Sequence, residues 1–220
     1  MRHAGFPLPC KPITRAIFVL MALLTGHVSK APANELQTAN RTRLISTNAC
    51  VACDLNGVNL AGQNLIGANL KQANMSHANL SGASLMGANL NQAKLVGVNL
   101  SGAVIAGAVF SGVDLRNGNL SRVNANRTSF SQANLTHVDF NGAALERVDM
   151  EGANLRGANL KDTDLYEARF LFAEMSETNF SGANLHEADF SQAETAGMRT
   201  DHGTTCPDLK PGPCIFQQPE

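Results

Sequence analysis

An apolar residue recurs at every fifth position of the chain from Leu55 to Phe190, without a single slip. These 28 central positions carry Leu 17 times, Phe six times and Met three times, and Ile105 and Ala125 complete the set. A small residue, most often Ala, stands two positions before every centre except Leu65, which Gln63 precedes, and Gly stands two positions after the centre in 13 of the 28 repeats. The chain from 53 to 192 is therefore one array of five-residue repeats.

A period of five residues fits neither an α-helix nor a straight β-strand. Five residues advance about 140° around an α-helix, which would spread the central positions over its whole surface. In a straight strand five residues invert the side chain, so alternate centres would face water. All the centres can face inward only if the chain turns a corner in every repeat. Gly after the centre supplies the positive φ that such corners need, so the pattern predicts a wound chain whose central residues face inward.

The repeats resemble those of a known family. The segments Ala-Asn-Leu-Lys-Gln at 68–72 and Ala-Asn-Leu-Arg-Gly at 153–157 are similar to the A-(N/D)-L-x-x motif of pentapeptide-repeat proteins. The resemblance implies a right-handed quadrilateral β-helix with four repeats per coil, hence about seven coils. At a strand spacing of about 4.8 Å such a rod is roughly 34 Å long. With a 20-residue coil, Ala125 stands in a column of larger residues, where we expect it to leave a gap.

The segments that flank the repeats are predicted to close the two ends of the rod. In the N-terminal segment, 34–52, residues 36–45 are expected to form a short amphipathic cap helix. The sequence C-x-x-C-D-L that begins at Cys50 resembles the first segment of some exported or lumenal members of the family. The C-terminal segment, 193–220, is rich in turn residues and is expected to form a tail held by a disulfide.

Residues 1–33 have the composition of a signal peptide. Arg2, Lys11 and Arg15 supply positive charge, the segment contains no acid, and the uncharged apolar run at 16–24 is too short to span a bilayer comfortably. Ala-Pro-Ala at 31–33 forms a cleavage site that would leave Asn34 as the first residue. The alternative is an uncleaved membrane anchor. Export predicts the periplasm or secretion, or a thylakoid lumen if the source is cyanobacterial.

Four cysteines follow the predicted cleavage site, an even number in a compartment that permits disulfides. They are Cys50, Cys53, Cys206 and Cys214. We expect two disulfides, 50–53 and 206–214. The alternatives are a redox site at Cys50-x-x-Cys53 or a zinc site. A zinc site would need all four cysteines around one ion, whereas the two pairs lie at opposite ends of the rod.

The sequence contains no recognisable catalytic motif: no G-x-S-x-G, phosphate-binding loop or paired-carboxylate motif occurs. A rod filled by its own side chains also leaves no cleft for a substrate. His77 and His137 share one outward column but are three coils apart, roughly 14 Å. The prediction is therefore a protein that is not an enzyme and has no cofactor and no bound metal.

Charge is distributed unevenly along the repeats. Between 55 and 112 there are no acids and only two lysines, whereas between 113 and 194 there are 13 acids against seven basic residues, a net charge of −6. This acidic half is either a solvated surface or an acidic docking face. Within it, Arg147 and Glu167 are expected to pair across adjacent coils.

Outward-facing apolar residues fall into two groups. The first consists of Ile66, Met86, Val104, Ala106 and Val109, and the second of Tyr166, Leu171 and Phe172. Contiguous exposed apolar residues often mark an interaction site, although single surface hydrophobes are also tolerated. We treat the eight residues as a possible partner-binding surface.

The resulting prediction is an exported structural or protein-binding rod. Its partner is an unidentified protein, with no nucleic acid and no membrane contact apart from the signal peptide, and its oligomeric state stays open. One alternative is a cytoplasmic DNA-mimic regulator of a type II topoisomerase, a role of some family members. That role needs a strongly negative surface, whereas residues 34–220 carry 13 basic residues and 18 acids, a charge of −5. The other alternative is thiol–disulfide exchange through Cys50 and Cys53.

Overall fold

A computed structural model of the protein describes residues 33–216. In this range one helix, α1, spans Ala33–Thr47, and the remaining residues form turns and isolated β-bridges. Apart from Ala33, at which α1 begins, the predicted signal peptide 1–33 lies outside the described residues. Residues Asn34–Glu220 belong to one compact unit, and the fold is that of this unit.

α1 lies against the first coil and is less amphipathic than predicted. Leu44 is fully buried, but Leu36 and Ile45 remain about half exposed, at 48% and 46%. Polar contacts hold the helix instead: the Asn40 amide donates to the carbonyl of Asp54 at 2.9 Å. Arg41 extends the same pattern, because its Nε donates to a first-coil carbonyl at 3.0 Å.

After α1 the backbone repeats every 20 residues. Single-residue parallel β-bridges join residues 20 apart without interruption, from the pair Ala49↔Asn69 to the pair Asn179↔Arg199. In each repeat the residue before the centre makes the bridge, and the two residues after the centre form a turn. Four repeats therefore complete one coil, and neighbouring coils are joined along all four walls by backbone hydrogen bonds.

The central residues of the repeats form the interior, as the period predicts. From Leu55 to Leu185 every centre is buried, and Phe190 at the end of the series is partly buried. Phe216 covers this last position, with its ring centroid 4.8 Å from that of Phe190. The predicted inward orientation of the centres is confirmed.

The interior around Ala125, where the sequence predicts a gap, lies in a coil with large aromatic side chains. Ala125 is fully buried, and the next centre along the chain is Phe130. The ring of Phe130 lies 5.2 Å from that of Phe110 in its own column and 5.8 Å from that of Phe140, two repeats further on and hence on the opposite wall. An aromatic side chain therefore reaches across the interior in the coil that contains Ala125, and substitution of Ala125 tests whether a gap remains there.

Every corner of the coil has a residue with positive φ two positions after the centre. All 28 of these residues adopt this conformation, 13 glycines and 15 others. The others are mostly polar, but they include Phe172 at φ 57°. The glycine positions in the sequence predicted the corners correctly. In the structure the same corner geometry is imposed on the 15 other residues, for which a positive φ costs conformational free energy.

The coil continues past the predicted boundary at 192. Glu194 and Arg199 still form bridges with residues 20 positions earlier, but Thr205 bridges Asn184, which is 21 positions earlier. One additional residue therefore enters the last coil. Thr205 then pairs in antiparallel fashion with Pro211, which folds the end of the chain back on itself.

Candidate functional site

One corner of the β-helix carries exposed apolar residues in one half and a cluster of charges in the other. We call it the mixed corner. From the N-terminal to the C-terminal end its first turn residues are Ile66, Met86, Ala106, Asn126, Glu146, Tyr166 and His186. These residues stack in one column because backbone hydrogen bonds join adjacent coils at this corner. The N–H of the residue that follows each one donates to the carbonyl of the column residue in the next coil, from Gly67 to Met86 at 2.8 Å and from Gly87 to Ala106 at 3.1 Å.

The N-terminal half of the mixed corner is apolar and uncovered. Ile66 and Met86 are 50% and 45% exposed. Gly67, Gly87 and Gly107 occupy the adjacent corner positions, and a Cβ placed on any of them would have no other atom within 4 Å. The apolar side chains of this half therefore stand beside bare backbone.

Two valines extend the apolar surface onto the walls that meet at this corner. Val104 bridges Ser84 on one wall, and Val109 bridges Asn89 on the next. Both valines are partly buried, as is Ala106 between them. The structure thus brings the first predicted apolar group together around one corner.

The C-terminal half of the mixed corner is built on an ion pair. Arg147 Nε lies 2.6 Å from Glu167 Oε2, and Arg147 Nη2 lies 3.0 Å from Glu167 Oε1. The predicted pairing is confirmed. The hydrogen bonds from Arg147, together with the neighbouring Tyr166, lower the pKa of Glu167 to about 2, and the same pair raises the pKa of Arg147. Arg147 also contacts Glu146 at 3.3 Å.

Tyr166 belongs to this charged half. Its hydroxyl donates to Glu187 Oε2 at 3.3 Å, its ring lies 5.5 Å from that of His186, and the Arg147 guanidinium lies 5.8 Å from its ring centroid. The carboxylates of Glu167 and Glu187 raise the pKa of Tyr166 to about 12, because both oppose ionisation of the phenol.

Leu171 and Phe172, the other members of the second predicted group, lie at the next corner along the chain. Phe172 is 58% exposed, and Leu171 is partly buried. The structure therefore separates these two residues from Tyr166, whose ring contacts are with residues of the mixed corner.

A surface depression lies between the two halves of the mixed corner. It has a volume of about 380 Å³ and is lined by Ala106, Gly107, Asn124, Asn126, Arg127 and Glu146. Within the described residues the side chain of Arg127 forms no ion pair and no hydrogen bond. The sequence analysis did not single out this depression, although the 20-residue coil already indicates which residues lie next to Arg127 in the adjacent coils. The residues 20 positions before and after Arg127 are Gly107 and Arg147, but the acid Glu146 lines the same depression, and the charge of Arg127 contributes to the lowered pKa of Glu167.

The cysteines lie in two pairs at disulfide-bonding distance. The sulfur atoms of Cys50 and Cys53 are 2.06 Å apart, and those of Cys206 and Cys214 are 2.10 Å apart. Cys50 is fully buried, and Cys53 is 7% exposed. Such burial is typical of structural cysteines and does not suit thiol exchange, which needs an accessible thiolate.

The histidines do not converge on one another. A Cβ placed on Gly97 would lie 2.7 Å from Nδ1 of His77, and one on Gly157 would collide with Nδ1 of His137, so each ring fills space above a glycine of the next coil. Across residues 33–216 no group of three or more His, Cys, Asp or Glu is placed to hold a metal ion.

Over the same described range, no helix has the length and apolar character needed to cross a membrane. This finding concerns only residues 33–216.

Solved structures that are similar to this chain include two pentapeptide-repeat proteins and one fluoroquinolone resistance protein. HetL from Nostoc sp. strain PCC 7120, involved in heterocyst differentiation regulation, is 22% identical over 74% of this chain and 92% of its own, with a TM-score of 0.29. Rfr23 from Cyanothece 51142 is 27% identical over 76% and 97%, with a TM-score of 0.19. Full-length QnrB1, a plasmid-mediated fluoroquinolone resistance protein, is 16% identical over 69% and 85%, with a TM-score of 0.32. These TM-scores are too low to carry an argument about function.

The repeats themselves match a family model. The model described as Pentapeptide repeats matches residues 53–92, 83–122, 119–152 and 153–192. No curated protein matches the chain significantly. The matched ranges cover 53–192, well over half of the 220 residues, and they support the right-handed β-helix that the sequence resemblance implies. The chain belongs to the pentapeptide-repeat family.

Proposed function

We propose that this protein is an exported, non-enzymatic β-helical rod that binds a protein partner or serves a structural role. Proteins of the family are generally structural or binding proteins rather than enzymes. The observation that carries the proposal is the mixed corner, where exposed Ile66 and Met86 stand beside a depression lined by the charged residues Arg127 and Glu146. The interior, by contrast, is filled by the side chains of the repeats.

The proposed rod has about seven coils and a cap at each end. Contacts from α1 to first-coil carbonyls support the N-terminal cap. At the other end, Phe216 packs on Phe190, and the Cys206–Cys214 pair holds the chain that folds back. Caps of this kind protect the open backbone edges of the end coils from pairing with another molecule.

Export is supported by the N-terminal sequence and by the cysteines. Residues 1–33 have basic, apolar and small-residue regions in the order of a signal peptide. The compact unit begins at Asn34, the first residue after the predicted cleavage site. Two cysteine pairs at disulfide distance fit an oxidising compartment. We place the protein in the periplasm or outside the cell, or in a thylakoid lumen if the source is cyanobacterial.

The experiment is fractionation followed by crosslinking and pull-down from the compartment that contains the mature protein. We expect a processed form that begins at Asn34 and a crosslinked partner that Met86→Asp removes. Ala61→Asp is the matched control, because Ala61 is an exposed first turn residue of another corner. A full-length cytoplasmic protein that captures a topoisomerase would replace this proposal by the DNA-mimic alternative.

A further inference from the structure

We propose that the Cys206–Cys214 disulfide is a site of thiol–disulfide exchange, which a dithiol protein reduces through a depression in the C-terminal cap. Its reduction releases the end of the chain from the last coil. This chemistry goes beyond the proposed function, because it does not depend on which partner the mixed corner binds.

A surface depression opens directly onto this disulfide. We call it the tail depression. It has a volume of about 370 Å³, and both cysteines line it, together with Pro211, Pro213 and Phe216. Cys206 is buried, whereas Cys214 is partly buried. Because exchange needs access to a sulfur atom, a thiolate that enters the tail depression reaches Cys214 more readily.

The surroundings of the tail depression suit a protein as the reductant. Asp208 and Lys210 line it and form an ion pair with each other, so their charges offset and do not repel an incoming thiolate. Pro207, Ile215 and Phe216 supply apolar area, and Ile215 is almost completely exposed. Such apolar area gives a protein a surface to bind, which a small thiol would not use.

The N-terminal disulfide provides an internal comparison, because it is covered. Cys50 is fully buried and Cys53 is 7% exposed. The carbonyl oxygen of Asn40, in α1, lies 3.6 Å from the sulfur of Cys50, and the Asn40 side chain also donates to the carbonyl of Asp54. A reductant would therefore have to displace α1 before it reached this pair.

The reaction transfers two electrons and two protons from the dithiol to the cysteine pair. One thiolate of the dithiol attacks Sγ of Cys214, the bond between the two cysteine sulfurs breaks, and Cys206 leaves as a thiolate that takes a proton from water. The second thiolate of the dithiol then attacks the mixed disulfide. This step frees Cys214, which also takes a proton from water, and leaves the dithiol oxidised to a disulfide.

The hairpin that precedes Cys214 does not depend on the disulfide. The N–H of Gly212 donates to the carbonyl of Thr204 at 2.7 Å, and the N–H of Cys206 donates to the carbonyl of Lys210 at 2.8 Å. Reduction changes neither of these backbone hydrogen bonds, so we expect the hairpin to stay in place.

The segment after the hairpin depends on the disulfide more strongly. It is held by that bond, by the hydrogen bond from the N–H of Cys214 to Thr200 Oγ1 at 2.9 Å, and by the packing of Phe216 on Phe190. Without the disulfide the remaining contacts have to offset the conformational entropy of an ordered chain end. We therefore expect Phe216 to leave Phe190, which then becomes accessible at the end of the coil.

The first measurement compares the two disulfides in the oxidised protein under native conditions. Reduced thioredoxin is added, free thiols are blocked with iodoacetamide at intervals, and the linked peptides are quantified by mass spectrometry. We expect the Cys206–Cys214 bond to be reduced about tenfold or more faster than the Cys50–Cys53 bond, because it is the accessible one. Thioredoxin whose second active-site cysteine is replaced by serine should be trapped as a mixed disulfide with Cys214.

Hydrogen exchange measures the release of the chain end. On reduction the amide of residue 214 should exchange about tenfold or more faster. The amide of Phe180, which donates to the carbonyl of Arg199 at 2.8 Å, should keep its protection because the coil stays folded. Cys206→Ser/Cys214→Ser should show the same pattern without a reductant, whereas the matched control Cys50→Ser/Cys53→Ser should leave exchange at residue 214 unchanged.

Three results would overturn the inference. Equal reduction rates for the two disulfides, or a mixed disulfide on Cys50 or Cys53, would refute the exchange site. Unchanged exchange at residue 214 after reduction would refute the release of the chain end. Reduction of the Cys206–Cys214 bond by dithiothreitol but not by thioredoxin would refute a protein reductant. None of these results changes the outcome of the crosslinking experiment, which tests the proposed function separately.

Discussion

Arg147 and Glu167 are 20 residues apart in the chain and meet side by side in adjacent coils, joined by hydrogen bonds of 2.6 and 3.0 Å. Both are second turn residues of the same corner, and both have positive φ, at 55° and 53°. Their pairing follows from the coil length alone. Arg127 lies one coil earlier in the same column, and its charge also contributes to the lowered pKa of Glu167.

The ion pair predicts a pH dependence of stability with a defined sign. The pKa of Glu167 is lowered to about 2 in the folded protein, below the usual value for glutamate of about 4.3 in an unfolded chain. Its contribution to folding is therefore fully present above the unfolded-state pKa and is lost as the pH falls toward 2. We expect Glu167→Gln to lower Tm at pH 6, and the difference from wild type to shrink between pH 5 and pH 2.5.

The pH dependence of Glu167→Gln has to be compared with that of a control variant, because other carboxylates also have lowered pKa values. Asp114 and Asp189 also have lowered pKa values, owing to hydrogen bonds from Arg116 and Ser191. Glu177→Gln is the control, since Glu177 holds the equivalent position at another corner, at φ 62°, and forms no ion pair within residues 33–216. A difference that stays constant across this pH range, or that salt does not reduce, would contradict the assignment.

The five-residue period predicted the parts of the fold that every coil repeats. Burial of the 27 centres from Leu55 to Leu185 and the pairing of Arg147 with Glu167 follow from period and register. The ends were less predictable because they do not repeat. Leu36 and Ile45 stay exposed because polar contacts hold α1, and one inserted residue shifts Thr205 out of register. Phe172 could not be predicted as a positive-φ residue from its own preferences, because neighbouring coils impose that corner.

The two cysteine pairs predict two separate disulfides in the oxidised protein. Non-reducing peptide mapping should yield Cys50–Cys53 and Cys206–Cys214 linked peptides. On the loop-entropy model the tail bond closes about nine residues and stabilises by roughly 2.5 kcal/mol, and the N-terminal bond closes about four residues and stabilises by roughly 2 kcal/mol. Replacing both cysteines of the tail pair by serine should therefore lower the urea midpoint. Four free thiols, or a link between the two ends of the rod, would refute this pairing.

Substitutions at two corner glycines distinguish the free-energy cost of a positive φ from that of a side-chain collision. Gly102 has φ 63°, and an added Cβ would have no other atom within 4 Å, whereas at Gly157 it would collide with Nδ1 of His137. Gly102→Ala should therefore cost only the positive-φ penalty, about 1–2 kcal/mol. Gly157→Ala should cost more by chemical denaturation, and His137→Ala in the same chain should remove the excess. Equal costs in the His137-containing protein would show that the ring moves aside freely.

The last prediction concerns Ala125 and Phe130, a small and a large residue at neighbouring central positions of the interior. The ring of Phe130 crosses to Phe140 on the opposite wall, 5.8 Å away, so Ala125→Leu alone should overpack the coil and cost about 1–3 kcal/mol. Combining it with Phe130→Leu roughly conserves volume, and the double variant should lose less than about 1.5 kcal/mol. Chemical denaturation of both single variants and the double variant gives the coupling energy, which we expect to be favourable to the double variant. Ala133→Leu is the control, because Ala133 fills a buried small-residue position, where Phe130→Leu should give less relief. If Ala125→Leu alone stabilises the protein, the interior holds a real gap beside Ile105 and Leu145, and Phe130 does not fill it.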